Sequence, residues 1–211
     1  IEWLRGDEFD SVMNYPLQSA ITSFWKNTSM TNVEFMRKVN RCYETYMEQT
    51  NNVLFNLLDS HDTDRLIHRV EDENIFWQQL TILFTLVGSP CIFYGTEIAL
   101  EGAYDPDCRA CMPWDKIEQG IYNDKIEKLK KLINIRKEIE AFRNNNIEFL
   151  NEKENTRVIK YYKKDNKQKF LITINASDKD INVEYKKEIF SNLLNGNILS
   201  PKGILIERIE E

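Results

Sequence analysis

Residues 1–142 alternate short apolar runs with longer stretches bearing apolar residues at 3–4 spacing, and that order admits few folds. The apolar runs are Phe9, Val12 and Met13, stopped at Pro16; Val53 to Leu58, continuous like a strand buried on both faces; and Cys91 to Tyr94, closed by Gly95. Helical periodicity falls between and after them. Leu17 to Lys26 is amphipathic. Thr31 with Glu34 forms a capping box ahead of Val33, Met36, Val39, Tyr43 and Met47. Ile75, Phe76, Leu80, Leu83, Phe84 and Val87 share a helical face that ends at Gly88-Ser89-Pro90, and Asn123 opens another bearing Ile126, Leu129, Leu132, Ile133 and Ile139. Strand–helix alternation predicts a parallel α/β sheet or barrel. An eight-stranded (β/α)8 barrel needs about 250 residues, so three strand signals predict only the last part of one, about strands 6–8.

After Phe142 the rhythm shortens. Ile147–Leu150, Val158–Tyr162, Phe170–Asn175, Ile181–Tyr185, Ile198–Leu199 and Ile204–Ile206 read as strands. Turn clusters such as Lys164-Asp165-Asn166 and Asn195-Gly196-Asn197 separate them. This spacing predicts an antiparallel β-sandwich over residues 143–211, with the boundary near Arg143-Asn144-Asn145-Asn146. The expected architecture is therefore α/β plus all-β: the C-terminal portion of a (β/α)8 TIM barrel over residues 1–142, then a β-sandwich. No internal repeat occurs.

Charge follows the same division. Residues 1–142 carry 15 Lys+Arg and 23 Asp+Glu, hence −8, while the remainder carries 13 and 11, hence +2. With a net charge of −6, broad nucleic-acid binding is excluded as a default. The most apolar stretch, Leu80 to Tyr94, is short of the ~20 residues of a transmembrane helix and is broken by Gly88 and Pro90, so no membrane association is expected. No Gly-rich phosphate loop is present. Four cysteines in 211 residues do not make a disulfide scaffold; reduced thiols and a cytoplasmic location are expected.

Two stretches carry chemistry. Asn56-Leu57-Leu58-Asp59-Ser60-His61-Asp62-Thr63-Asp64-Arg65 places a histidine and a carboxylate beyond a buried strand, at the end where parallel α/β folds bind ligands. The same residues also fit a helix cap, with Ser60 or Thr63 opening the next helix and Asp62 accepting backbone N–H groups. The second stretch, Tyr94 to Asp115, follows the next strand and is dense in Asp, Arg, Tyr and Trp. Carboxylate and guanidinium groups take sugar hydroxyls in pairs, and aromatic faces stack on pyranose rings. A solvated loop with Trp114 as packing anchor is the alternative. Cys108-x-x-Cys111 lacks a second pair at metal-binding spacing, so no metal site is expected.

Together the segments NLLDSHDTDR, GTEIALEGAYDPDCRACMPWD and WLRGDEFDSVMNY (residues 3–15) resemble glycoside hydrolase family 13, the α-amylase family. They are most similar to its neopullulanase, cyclomaltodextrinase and maltogenic amylase branch. The resemblance spans roughly residues 1–140, and the β segment fits the family's C-terminal domain. It implies that Asp62 stabilises the transition state of glycoside hydrolysis and that His61 binds sugar beside it. Asp105 and Arg109 would hold the non-reducing side of the glucan, and Tyr15 would lie near the leaving group. Arg65 would brace the loop, and His68 would sit on a helix surface. No cofactor is implied. The implied partner is an α-glucan oligosaccharide, with oligomerisation possible through an N-terminal region of the family.

The sequence departs from the family pattern where Asp59 replaces Gly, Asp64 replaces Pro, Thr96 replaces Asp and Cys111 replaces Pro. Asp59 and Asp64 would add negative charge beside Asp62. The family's nucleophile and acid/base come from strands upstream of Ile1. Glu2 and Glu8 do not carry the acid/base motif, so a C-terminal fragment of a retaining α-1,4-glucan hydrolase is expected. A non-catalytic amylase-like binding module, or a glucan transferase on the same fold, stays open.

Overall fold

The computed structural model describes residues 2–4, 7–150 and 156–209. Arg5 and Gly6, inside the first family-like motif, lie outside them. Helix α1 (Tyr15–Lys26) starts where the Asn14 side chain accepts from Leu17 N at 3.3 Å, with Pro16 in the first turn, where its missing N–H is not needed. It buries Leu17, Ala20, Ile21 and Phe24. Helix α2 (Asn32–Glu44) opens with both halves of the expected capping box: Thr31 Oγ1 accepts from Glu34 N at 3.2 Å, and Glu34 accepts from Thr31 N at 2.8 Å. A short α3 (Glu48–Val53) follows and takes the first residue of the expected apolar strand.

Strand β1 is therefore only Phe55–Asn56. It pairs in parallel with β2 (Ser89–Pro90) on one side and bridges in parallel to Met13 on the other. The second pairing strand begins two residues before the expected Cys91–Tyr94. Pro90 is accommodated because the N–H groups on either side of it, Ser89 N and Cys91 N, donate to Leu54 O just before β1 and to Asn56 O within it, at 2.8 and 2.7 Å. The expected buried strand at Phe9–Met13 contracts to the one bridge, with Phe9 and Met13 exposed. Among the described residues no strand pairs on Met13's outer side.

A buried amide relay ties the three parallel segments together. Asn14 Nδ2 donates to Asn56 Oδ1 at 2.8 Å, and Asn56 Nδ2 donates to Val87 O at 2.7 Å. Gly88 makes room for it. Its φ is +111°, and a Cβ there would lie 2.4 Å from Asn56 Nδ2 and 2.8 Å from Leu54 O.

After β1 come α4 (Leu66–Val70) and α5 (Glu73–Thr85), the latter capped by Asp72, which accepts from Asn74 N and Ile75 N. Every residue of α5 from Phe76 to Thr85 is buried. A helix buried on all sides has partners all round, and α5 lies within the core shared by both parts of the chain. Helices α6 (Trp114–Glu118) and α7 (Asn123–Glu138) complete the first part, α7 burying Leu129 and Leu132.

The second part is a connected six-stranded antiparallel sheet. Strands β3 (Ile147–Phe149), β4 (Val158–Lys164), β5 (Lys169–Asn175), β8 (Ile198–Ile209) and β6 (Ile181–Asn182) are neighbours in that order, and β7 (Lys187–Asn195) also pairs with β8. The two short segments read at Ile198–Leu199 and Ile204–Ile206 are one long strand. β7 escaped the sequence reading because its register shifts between Glu188 and Phe190 and between Asn192 and Leu194, which breaks the alternation. Ile159, Tyr161, Phe170, Ile172, Ile174, Ile204 and Ile206 join the same core as Phe76, Leu80 and Leu83 of α5. Val183, Leu199 and Leu205 form a smaller cluster.

Arginines from the later segments satisfy helix-end carbonyls of the earlier ones, groups a helix cannot pair itself. Arg157 donates to Phe24 O, Asn27 O and Met30 O at 2.8–3.1 Å around the end of α1, with its guanidinium over the Phe24 ring. Arg136 donates to Phe84 O and Leu86 O at 2.9 and 3.3 Å, to Phe142 O, and to Gly88 O, around the end of α5. Lys163 is fully buried nearby, donating to Asn144 O at 2.6 Å. Burial and then the Arg136 charge push its ammonium down to about 7.

Two predictions follow from this packing. Gly88→Ala is expected to lose about 2–3 kcal/mol of stability in urea unfolding, from strain plus the clash with the amide relay. Gly196→Ala, with open space around it, should lose about 1; equal losses would contradict the relay's role. The unfolded chain keeps Lys163 protonated to about pH 10.4, whereas the fold releases that proton near 7. Stability should therefore rise with pH across that window, and Lys163→Met should flatten the rise and be more stable at pH 7. Thermal melts from pH 6 to 10 that overlay for the two proteins would contradict it.

Candidate functional site

Beyond β1 the chain enters the loop 59–65, and beyond β2 the longer loop 91–113; both leave the same end of the parallel segments. The first loop is held by its own short polar side chains. Ser60 N donates to Thr63 Oγ1 at 3.0 Å, and Asp62 N donates to Ser60 Oγ at 3.2 Å. The second loop returns to the first, with Arg65 N donating to Gly102 O at 2.9 Å. Gly102 is packed so closely that a Cβ would lie 2.6 Å from Asp107 O.

Four of the five residues singled out from the sequence meet at one place. His61 Nε2 lies 3.2 Å from Asp62 Oδ2, Arg109 lies 3.7 Å from Asp62 Oδ1, and Arg109 Nε is 2.9 Å from Asp105 Oδ1. Arg109 Nε and Cys108 Sγ also donate to His61 O, at 3.2 and 3.3 Å, locking the two loops together. The Asp105–Pro106 peptide is cis. All four charged side chains are 44–59% exposed, so their lone pairs and N–H groups face water rather than one another alone. Tyr15, the fifth, sits at the start of α1 with its hydroxyl 3.4 Å from Ser60 Oγ.

The helix-cap alternative resolves against Asp62. The N–H at the start of α4, Leu66 N, is taken at 2.9 Å by Asp59, not by Asp62, Ser60 or Thr63. Asp59 is buried and also accepts from Thr96 Oγ1, at 2.9 and 3.0 Å to its two oxygens. Its carboxylate is therefore turned into the protein, and the side chains in reach of Asp62 are the His61 imidazole and the Arg109 guanidinium. Burial raises the Asp59 carboxyl above its ordinary range, opposed by Leu66 N–H, the Thr96 hydroxyl, Arg65 and Arg69.

Arg65 braces the loop, as the resemblance implied. It is fully buried, with its guanidinium 4.2 Å from the Phe93 ring centroid and 4.5 Å from that of Tyr94, and it donates to Tyr94 O. Arg69 donates to Leu58 O at 2.5 Å. His68 is on the exposed side of α4, 3.4 Å from Glu101. Trp114 is 63% exposed and anchors no packing. All four cysteines are free. Sequence reading missed Asp59 and Thr96 as a pair, although each was visible as a departure from the family pattern.

The family model for the α-amylase catalytic domain matches residues 1–195, and the chain belongs to the α-amylase family. It is 40% identical over 178 residues to a cyclomaltodextrinase of Geobacillus thermopakistaniensis, a match covering 83% of this chain and 30% of that protein. To an intracellular maltogenic amylase of Bacillus subtilis it is 44% identical over 137 residues, 64% of this chain and 23% of that one. Among solved structures, the maltogenic amylase from S. marinus superposes with a TM-score of 0.84 at 31% identity, covering 96% of this chain and 29% of that chain. The chain thus spans about 30% of the length of the cyclomaltodextrinase it matches. No helix among the described residues is long and apolar enough to cross a membrane.

Arg65→Met is expected to destabilise the protein by about 2–3 kcal/mol, since it leaves the Tyr94 carbonyl without its donor and removes a cation packed over two aromatic rings. Arg65→Lys should recover less than half, because a compact ammonium cannot cover both ring faces and reach the Tyr94 carbonyl as a guanidinium does. Full recovery by lysine in urea unfolding would show that charge alone matters.

Proposed function

We propose that this chain is the C-terminal part of a retaining α-glucan hydrolase of the neopullulanase and maltogenic amylase type, acting on α-1,4-glucosidic bonds in maltodextrins, cyclodextrins or pullulan. Residues 1–142 are then the last part of a (β/α)8 barrel, about strands 6–8, and residues 143–211 its β-sandwich domain. The observation that carries the reading is the meeting of Asp62, His61, Asp105 and Arg109 from two loops at one end of parallel strands. The names of the relatives support it, and the share of their length that this chain covers supports a larger whole.

Retaining hydrolysis uses a nucleophilic carboxylate and an acid/base about 5–5.5 Å apart, and in this reading both lie upstream. Asp62 accepts hydroxyl protons of the sugar ring at the cleavage point. As the ring distorts and gains positive charge, those bonds and its attraction to the carboxylate strengthen, so Asp62 favours the transition state over bound substrate. His61 donates to a hydroxyl of the same ring. Arg109, fixed by Asp105, binds the adjoining part of the glucan, and Tyr15 lies on the leaving-group side. The protein works without a cofactor, in the cytoplasm, and any oligomer is built through the upstream region.

In the full-length protein, Asp62→Asn is expected to lower kcat on a maltooligosaccharide by two to four orders of magnitude with little change in KM. A loss under tenfold would contradict the role given to Asp62. A full-length protein that binds maltooligosaccharide without cleaving it would instead support a binding module.

A further inference from the structure

We infer that Asp59 and Thr96 form a positioning pair that sets the geometry of the His61–Asp62 loop against the Arg109 loop. The inference deepens the proposed reading of this site and rests on it. Asp59 and Leu66 bound the loop that carries His61 and Asp62, and the Asp59 carboxylate closes a chord across it by accepting from Leu66 N at 2.9 Å. The same carboxylate reaches the second loop, where Thr96 Oγ1 donates to it. Both side chains are at most 3% exposed, so water cannot replace either bond. Thr96 in turn starts the 3₁₀ turn 96–98, and Leu100 N donates back to Gly95 O at 2.8 Å. That fixes the chain a few residues before Gly102, which is itself bonded to Arg65 N.

The negative charge has local compensation. The positive charges of Arg65 and Arg69, at the end of the first loop and on α4, favour the ionised form of Asp59, and Arg65 packs over the two aromatic rings that open the second loop. Asp59 is thus bonded or coupled to both loops and to α4, while touching nothing exposed. It also gives one physical account of two departures from the family pattern. A carboxylate carried at position 59 occupies the space beside position 96, and a hydroxyl there serves it where a second carboxylate would repel it.

The experiment uses the full-length protein with Thr96→Val, Thr96→Ser, Thr96→Asp and Asp59→Gly/Thr96→Asp, assayed on a maltooligosaccharide well below each protein's Tm. Thr96→Val keeps the volume and removes the donor. It should lower kcat/KM by about tenfold or more, mainly through kcat, because small displacements of oriented groups cost that much. Thr96→Ser should stay within about threefold of wild type. Thr96→Asp places two carboxylates side by side and should be the worst variant, with the double variant recovering much of the loss. Unchanged kcat/KM in Thr96→Val, or no recovery in the double variant, overturns the inference, whatever happens to Tm. If the wild-type protein cleaves no glucan, the functional reading fails by itself. The pair is then judged by the His61 ring resonances in NMR, which should shift in Thr96→Val and not in Thr96→Ser; unshifted resonances in Thr96→Val overturn it.

Discussion

Three guanidinium groups hold this chain together by collecting main-chain carbonyl oxygens. Arg157 gathers those at the end of α1, Arg136 those around the end of α5, and Arg65 that of Tyr94 at the head of the second loop. A helix end leaves several carbonyls unpaired, and burying them without a donor costs about 1–3 kcal/mol each. A planar fork of donors satisfies several at once, which an ammonium cannot do. Arg157 and Arg136 both tie a helix of the parallel part to the sheet or its approach. The shared core of α5 and the sheet is therefore sealed at its edges by charge-assisted hydrogen bonds rather than by apolar contact alone.

Charges divide by depth. The inner ones, buried Asp59 and Arg65 and half-buried Arg69, are turned on backbone groups, the Thr96 hydroxyl and aromatic rings, and build the platform. The exposed ones, His61, Asp62, Asp105 and Arg109, are displayed on it. A ligand rich in hydroxyl groups suits such a display, since each hydroxyl both donates and accepts. In the proposed function the platform limits how far the display relaxes when a glucan binds, the condition under which polar groups discriminate between ground state and transition state.

Much of this was legible in the sequence, for identifiable reasons. The Thr31–Glu34 capping box, the face of α1 and the start of α7 are local signals and appear where the spacing put them. The motifs NLLDSHDTDR and GTEIALEGAYDPDCRACMPWD named the members of the exposed cluster through their resemblance to the family. What stayed hidden was long-range. That Asp59 turns inward depends on Thr96, 37 residues away, and on a helix start that the sequence assigned to Ser60 or Thr63. The Phe9–Met13 run looked buried because its composition is apolar, but burial needs a neighbour, and none among the described residues covers it. β7 was missed since two register shifts erase the period that a strand is read from.

In the proposed function the exposed cluster grips a sugar ring through Asp62. The most direct measurement is a crystal structure of the full-length protein with a non-hydrolysed maltooligosaccharide analogue bound. The account predicts hydroxyls of a single ring within ~3 Å of both the Asp62 carboxylate and the His61 imidazole, with Arg109 against the same or the next ring. A glucan bound elsewhere, with Asp62 left to Arg109 and water, would contradict it.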